Sequence, residues 1–156
     1  YSGDGGPATA ATMDAPTAMV LDDAGNLYVT DAGTSVVRKI AVDGTISTVA
    51  GTAEYGFAGD GGPATAARLA RPDGIAIGGD GSIYISDRLN SRIRKVATDG
   101  VITTVAGTGM KGMSGDGGPA TAAAFGYVSR LAFDLDGGLL VSDQTNSCIR
   151  KIVGPL

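Results

Sequence analysis

Gly-Asp-Gly-Gly-Pro-Ala-Thr-Ala-Ala stands at Gly3–Ala11, again at Gly59–Ala67 and again at Gly115–Ala123, each copy starting 56 residues after the one before. A fixed period of this length marks a supersecondary unit that cannot bury its apolar faces alone and must stack on copies of itself. The chain reads as one domain over 1–156, built of repeats 3–58, 59–114 and 115–156.

Between these phrases each repeat holds four short apolar segments. In the second they are Gly74–Gly78 (GIAIG), Ser82–Asp87 (SIYISD), Arg92–Ala97 (RIRKVA) and Val101–Ala106 (VITTVA). The third and fourth are joined by Asp99-Gly100, as by Asp43-Gly44 one repeat earlier, and Asp-Gly is a signal for a tight hairpin with positive backbone angles. Consecutive strands therefore pair antiparallel as a four-stranded meander. The second strands, Leu27–Val29, Ile83–Ile85 and Leu139–Val141, are apolar on both faces, so each sheet is expected to lie between two others. Small residues recur in the first strands (Ala18, Gly74, Ala76, Ala132), where wedge-shaped sheets around an axis crowd most. The expectation is an all-β fold, a β-propeller of four-stranded antiparallel blades. In the third repeat the segments end at Cys148–Val153, so the last blade is expected to be incomplete and the three blades to form half of a six-bladed ring.

The wording of the segments carries a resemblance. Pro72–Ile77 (PDGIAI), Gly81–Asp87 (GSIYISD), Asn90–Val96 (NSRIRKV) and Asp99–Gly107 (DGVITTVAG) fall in the order found in NHL repeats, and nearly the whole chain is similar to the NHL-repeat β-propeller family. The third repeat departs, with Val128 in place of the proline and Leu140 in place of the tyrosine. The resemblance implies a mostly six-bladed architecture and an extracellular or bacterial cell-envelope location.

Composition narrows the function. Net charge is −4, which opposes nucleic-acid binding because no excess of cations exists to release counterions from phosphates. No apolar run reaches the roughly 20 residues of a membrane span. The chain has no histidine and one glutamate, Glu54, so general acid–base catalysis and a histidine metal site lack their usual residues. The single cysteine, Cys148, has Val36 and Arg92 as its counterparts, which suits packing. No cofactor is implied: Gly107–Gly112 imitates a dinucleotide fingerprint, but another glycine loop follows where a helix would have to open. Asp134–Gly138 lacks the later ligands of a calcium loop and reads as a turn.

Three sets of residues remain. Asp4, Asp60 and Asp116 lie between glycines in connections of about 20 residues, long for blade turns, and with Asn90, Arg92 and Asn146 they are the candidate ligand surface. Asx turns within the same loops are the structural alternative for the aspartates. Asp31, Asp87 and Asp143 end the second strands, and Arg38, Arg94 and Arg150 lie in the third, so repeated pairs Asp31–Arg38, Asp87–Arg94 and Asp143–Arg150 are expected to fix the strand turn. The function expected is a non-catalytic module that presents its long-loop face to a protein or glycan. The alternatives are a structural subunit joining end to end in an extracellular fibre, and part of a propeller hydrolase or lyase whose catalytic residues lie outside this chain. The apolar end blades are expected to self-associate, as a homodimer that completes the ring.

Overall fold

The computed structural model describes residues 1–154. Strands β1 (Pro16–Leu21), β2 (Leu27–Asp31), β3 (Val36–Ile40) and β4 (Ile46–Ala50) form the first sheet, and β5 (Pro72–Ile77), β6 (Ile83–Asp87), β7 (Arg92–Val96) and β8 (Ile102–Ala106) the second. In the third, β9 (Val128–Phe133), β10 (Leu139–Asp143) and β11 (Cys148–Ile152) are the strands among the described residues. Each strand pairs antiparallel with the next. Gly44 and Gly100 turn the β3–β4 and β7–β8 hairpins at φ +84 and +85. The first strands begin earlier than the apolar pattern suggests, at Pro16, Pro72 and Val128, because a bulge lies inside each of them.

All five residues of β6 are buried, as a sheet sandwiched on both sides requires. One core joins the first blade to the second, with Val20, Tyr28 and Val37 against Leu69, Ile75, Ile83 and Ile85. The next joins the second to the third, with Ala76, Tyr84 and Ile93 against Phe125, Val128, Leu139 and Val141. The first strands form the inner edge: β1 and β9 both lie against β5. The ties between blades repeat with the period. The Thr30 hydroxyl donates to the Asp73 carbonyl, and one repeat on the Ser86 hydroxyl donates to the Ser129 carbonyl at 2.6 Å. A Cβ at Gly74 would overlap that same Ser129 carbonyl oxygen, which accounts for glycine on the inner strand. Arg130 of the third blade donates to the carbonyls of Thr17 (2.9 Å) and Asp73 (3.1 Å), so all three inner strands converge on a common hub.

The repeated phrase forms a strap. One backbone bridge in each repeat, Ser2–Thr12, Ala58–Arg68 and Ser114–Ala124, closes the strap into an Ω-loop. Gly59 has φ +91, and a Cβ there would lie 2.7 Å from the Cα of Ala67, so the first glycine and last alanine of the phrase pack on one another. The Pro-Ala-Thr-Ala portion makes a short 3-10 turn (Ala8–Ala10, Ala64–Ala66, Ala120–Ala122). The strap then lies along the outer strand of its own blade: Gly61 N–H donates to Ile102 O, Ile102 N–H to Gly62 O and Ala64 N–H to Gly100 O. It also meets the preceding blade, where Gly51 N–H donates to Ala64 O.

What fastens the strap is an arginine. Arg94 on β7 is fully buried, and all five of its N–H groups are used. Nη2 donates to Asp60 Oδ1 at 2.6 Å and to Ala58 O, Nε donates to the same Asp60 oxygen, and Nη1 donates to Arg68 O and to Asp87 Oδ2 at 3.3 Å. The guanidinium thus closes the neck of the loop, Ala58 to Arg68, and holds the aspartate inside it. Arg38 repeats the arrangement with Asp4, Ser2 O and Thr12 O, and Arg150 with Asp116, Ser114 O and Ala124 O.

The pairing expected within the strand turn is present for Asp87 with Arg94 and, at longer range, for Asp143 with Arg150, but it is not the main contact of these arginines. Asp4, Asp60 and Asp116, not Asp31, Asp87 and Asp143, are the short-range partners of Arg38, Arg94 and Arg150, at 2.5–2.6 Å. Asp87 touches Arg94 at 3.3 Å, Asp143 approaches Arg150 only to 3.9 Å, and Asp31 is held elsewhere. The second-strand aspartates cap the entry to their own blade instead: Asp31 accepts the Asp14 amide, Asp87 that of Ala70 and Asp143 that of Gly126. Burial pushes the Asp87 carboxyl up, opposed by hydrogen bonds from Asn90 and the Ala70 amide and by Arg94. The reason is distance along the chain. The partners are 34 residues apart, beyond any local pattern, and the loop must fold back before they meet.

Removing Arg94 strands two carboxylates and two carbonyls at once. Arg94→Met is expected to lower unfolding free energy by about 3–5 kcal/mol, the cost of breaking a buried ion pair from one side. Asp60→Asn, whose side chain is 37% exposed, should cost about 1 kcal/mol or less. Urea denaturation followed by circular dichroism measures both.

Candidate functional site

Because strands alternate in direction, each blade has two ends. The β1–β2 and β3–β4 turns and their counterparts lie at one; the β2–β3 type loops and the connections between blades meet at the other. Charge differs between them, although the loop end holds acids too, Asp14, Glu54 and Asp73. The turn end carries Asp22, Asp23, Asp43, Asp80, Asp99, Asp134 and Asp136, with Lys95 and Lys151 paired to Asp80 and Asp134. Hydrogen bonds from the turns lower the carboxyls of Asp22, Asp80 and Asp134, the last chiefly through Lys151. Asp22, Asp80 and Asp134 are thus spent on local structure and stay charged.

The loop end carries Arg71, Arg88, Arg92, Lys111 and Arg130, of which Arg71, Lys111 and Arg130 are exposed. Arg88 and Lys111 flank the Tyr127 ring at 5.4 and 4.2 Å, and Arg88 Nη2 donates to Gln144 Oε1. Lys111 donates to the Tyr127 hydroxyl at 2.8 Å, and this bond, with its charge and that of Arg88, holds the phenol below its usual value. Arg88 and Arg130 both approach the half-buried Asp73 carboxylate, at 4.0 and 3.8 Å, which holds them near the hub.

The residues singled out from the sequence fall in two groups. Asp4, Asp60 and Asp116 sit inside the straps on their arginines, so a ligand there would have to displace a guanidinium. The straps lie along the outer strands rather than on the loop end, although the flanks of each connection do reach it, as the Leu89 amide bonded to Ala70 O shows. Asn90 and Asn146 are at the loop end and make the same bridge, Nδ2 to Gly56 O and Asp87, and Nδ2 to Gly112 O and Asp143. Arg92 stacks on Phe57 at 3.9 Å and donates to Asn90 O and Thr108 O. The structure brings Asn90 and Arg92 together, and Asp60 is linked to Asn90 only indirectly, through Arg94 and Asp87.

Sequence reading passed over Arg88, Lys111, Tyr127 and Arg130, because attention to a repeat favours what recurs. Their counterparts elsewhere in the array include Ala32, Tyr55, Ala15 and Ala18. A signal was present in these very disagreements: every blade needs the scaffold, so a position that differs between blades is free of it. No group of three or more histidine, cysteine, aspartate or glutamate side chains is placed to hold a metal among the described residues. No described helix is long and apolar enough to cross a membrane.

Comparison with known proteins agrees with this architecture. The family model of the teneurin NHL domain matches residues 53–113. Teneurin-3 of Danio rerio is 39% identical over 97 residues, covering 54% of this chain and 4% of the relative. The chloroplastic protein SUPPRESSOR OF QUENCHING 1 of Arabidopsis thaliana is 31% identical over 134 residues, 80% of this chain and 12% of that one. The chain thus spans a small part of these relatives. A crystal structure of a protein of unknown function from Bacteroides thetaiotaomicron superposes with a TM-score of 0.73 at 31% identity, over 81% of this chain and 32% of the other. A streptogramin B lyase superposes at 0.61 with 18% identity, over 88% and 37%, a likeness of fold alone. Blade geometry, the strap phrase and these matches together make the chain an array of NHL-repeat β-propeller blades.

Proposed function

We propose that the chain is a non-catalytic interaction module, working outside the cytoplasm, that presents its loop end to an anionic protein surface or glycan. The observation that carries this reading is the gathering of Arg88, Lys111, Tyr127 and Arg130 at one end of the molecule, with Arg71 exposed in the same set of loops. Arginine and tyrosine together are the residues enriched at binding hot spots, and Tyr55 and Met110 in the connections add exposed apolar area. Complementary charge of this kind steers encounter and sets orientation. A catalytic reading has less support, since the strap aspartates are engaged by arginines and the chain has no histidine.

The end blades support a second element of the proposal, self-association. Ile149 (66% exposed) stands open on the third blade where its counterpart Ile93 is fully buried between blades, and Met19 (70%) and Leu21 (61%) are exposed on the first. Each open face matches one that is covered inside the array, so copies joined head to tail would bury both. Convergence on a hub favours closure into a ring over growth into a fibre.

For the first element, immobilised chain is expected to bind polygalacturonate or a poly-glutamate peptide with an affinity that falls as salt rises. Arg88→Ala with Arg130→Ala should weaken that binding about tenfold, roughly 1.4 kcal/mol. Unchanged binding would remove the assignment. For the second, light scattering at micromolar concentration should give a discrete two-chain species that Ile149→Asp converts to monomer. A folded wild-type monomer would contradict it.

A further inference from the structure

The loop end holds the same backbone twice, with different side chains on it. Between the second and third blades Lys111 bridges Phe125, and the Gly112 amide donates to Phe125 O. Between the first and second, Tyr55 bridges Leu69, and the Gly56 amide donates to Leu69 O. At the later junction the side chains engage one another. Lys111 donates to the Tyr127 hydroxyl at 2.8 Å, Arg88 and Lys111 lie 5.4 and 4.2 Å from the Tyr127 ring, and Arg88 donates to Gln144 Oε1.

At the earlier junction the cation and the ring have changed places. Tyr55 stands where Lys111 does, Arg71 where Tyr127 does and Ala32 where Arg88 does, each 56 residues before its counterpart. Tyr55 is 61% exposed and Arg71 is exposed, and among the described residues no hydrogen bond, ion pair or ring contact engages either side chain. Both are nevertheless fixed through the main chain. The Arg71 amide donates to Ser35 Oγ of the first blade at 3.2 Å, and its φ of +52 lies in the left-handed region. Ala15 has the same conformation at φ +56, so the backbone form belongs to the repeat and the arginine is what this blade adds. Glu54, next to Tyr55 in the chain, is paired with Arg68 and leaves the Arg71 charge to solvent.

We propose that Tyr55 and Arg71 form a subsite for a uronic-acid residue of an acidic polysaccharide. The inference rests on the loop-end reading above and names its ligand class. A pyranose ring presents C–H bonds that suit the electron-rich face of an aromatic ring, and a uronate adds at its rim a carboxylate that the guanidinium fork can hold with two parallel hydrogen bonds. Side chains at these two positions reach one another at the later junction, where Lys111 and Tyr127 meet at 2.8 Å, so the Tyr55 ring and the Arg71 guanidinium stand within one sugar residue of each other. Arg88 follows Asp87, which pairs with Pro72, so a second cation flanks Arg71 for the carboxylate of the next sugar. An acidic peptide side chain supplies a carboxylate but has no ring-sized face for Tyr55 to cover.

The test is isothermal titration calorimetry of the full chain with tetragalacturonate, its methyl ester and tetraglutamate. The acidic sugar is expected to bind, and the uncharged ester and the peptide to bind at least about tenfold more weakly. Arg71→Gln and Tyr55→Ala should each weaken tetragalacturonate binding about tenfold, while Tyr55→Phe, which keeps the ring, should bind as the wild type does. Both side chains lie on the surface, so all three variants should melt with the wild type. No binding of tetragalacturonate, unaltered binding by Arg71→Gln and Tyr55→Ala, or tetraglutamate bound as tightly as the sugar would overturn the proposal. If Arg88→Ala with Arg130→Ala weakens tetragalacturonate while Arg71→Gln and Tyr55→Ala do not, the subsite falls and the loop-end reading stands. If that double variant also binds as the wild type does, both fall.

Discussion

A buried guanidinium that closes the neck of a loop is the interaction on which the rest of this structure depends. The first two blades are twisted sheets whose outer strand would otherwise present an unpaired edge, and unpaired edges invite aggregation. The strap covers that edge, but a glycine-rich loop has little side-chain area with which to hold itself in place and loses much conformational freedom when ordered. Arg38, Arg94 and Arg150 supply what the loop lacks. Charge-assisted bonds to one aspartate and to both carbonyls of the neck fix the loop at three points from a single, fully enclosed side chain.

That arrangement explains why the phrase is so uniform. Its first glycine has no room for a Cβ beside the last alanine, its aspartate faces the arginine, and its middle glycines bring backbone close enough to pair with the fourth strand. The strap also touches the exit of the preceding blade through Gly51. One loop therefore links the edge of its own sheet to the neighbour before it, which is how a sheet that cannot stand alone becomes part of an arc.

Much of the fold was legible in the sequence because its signals are local or periodic. The Asp-Gly hairpins, the doubly apolar Ile83–Ile85 and the small inner-strand residue Gly74 each have one physical reading, and the structure places them accordingly. The destination of Asp60 was not legible. Its partner is on β7, and Asp87, only seven residues from Arg94, offers the simpler pairing from spacing alone. The basic loop end was hidden for a different reason. Arg88, Lys111 and Arg130 come from three separate segments and are absent at the matching positions of other repeats, so only the assembled blades bring them to one surface. Scaffold and surface are thus written differently here: what recurs holds the blades, and what varies decorates the end where the connections meet.

The most direct measurement of the strap's role is amide hydrogen exchange on the second blade. If Arg94 fastens the strap to the body of the sheet, the amides of Gly61, Ala64 and Ile102 will exchange as slowly as those of the buried strand β6, and Arg94→Met will release the first three while leaving β6 protected. Exchange at Gly61 and Ala64 orders of magnitude faster than at β6 in the unaltered protein would show a strap that opens by itself, and would contradict the account.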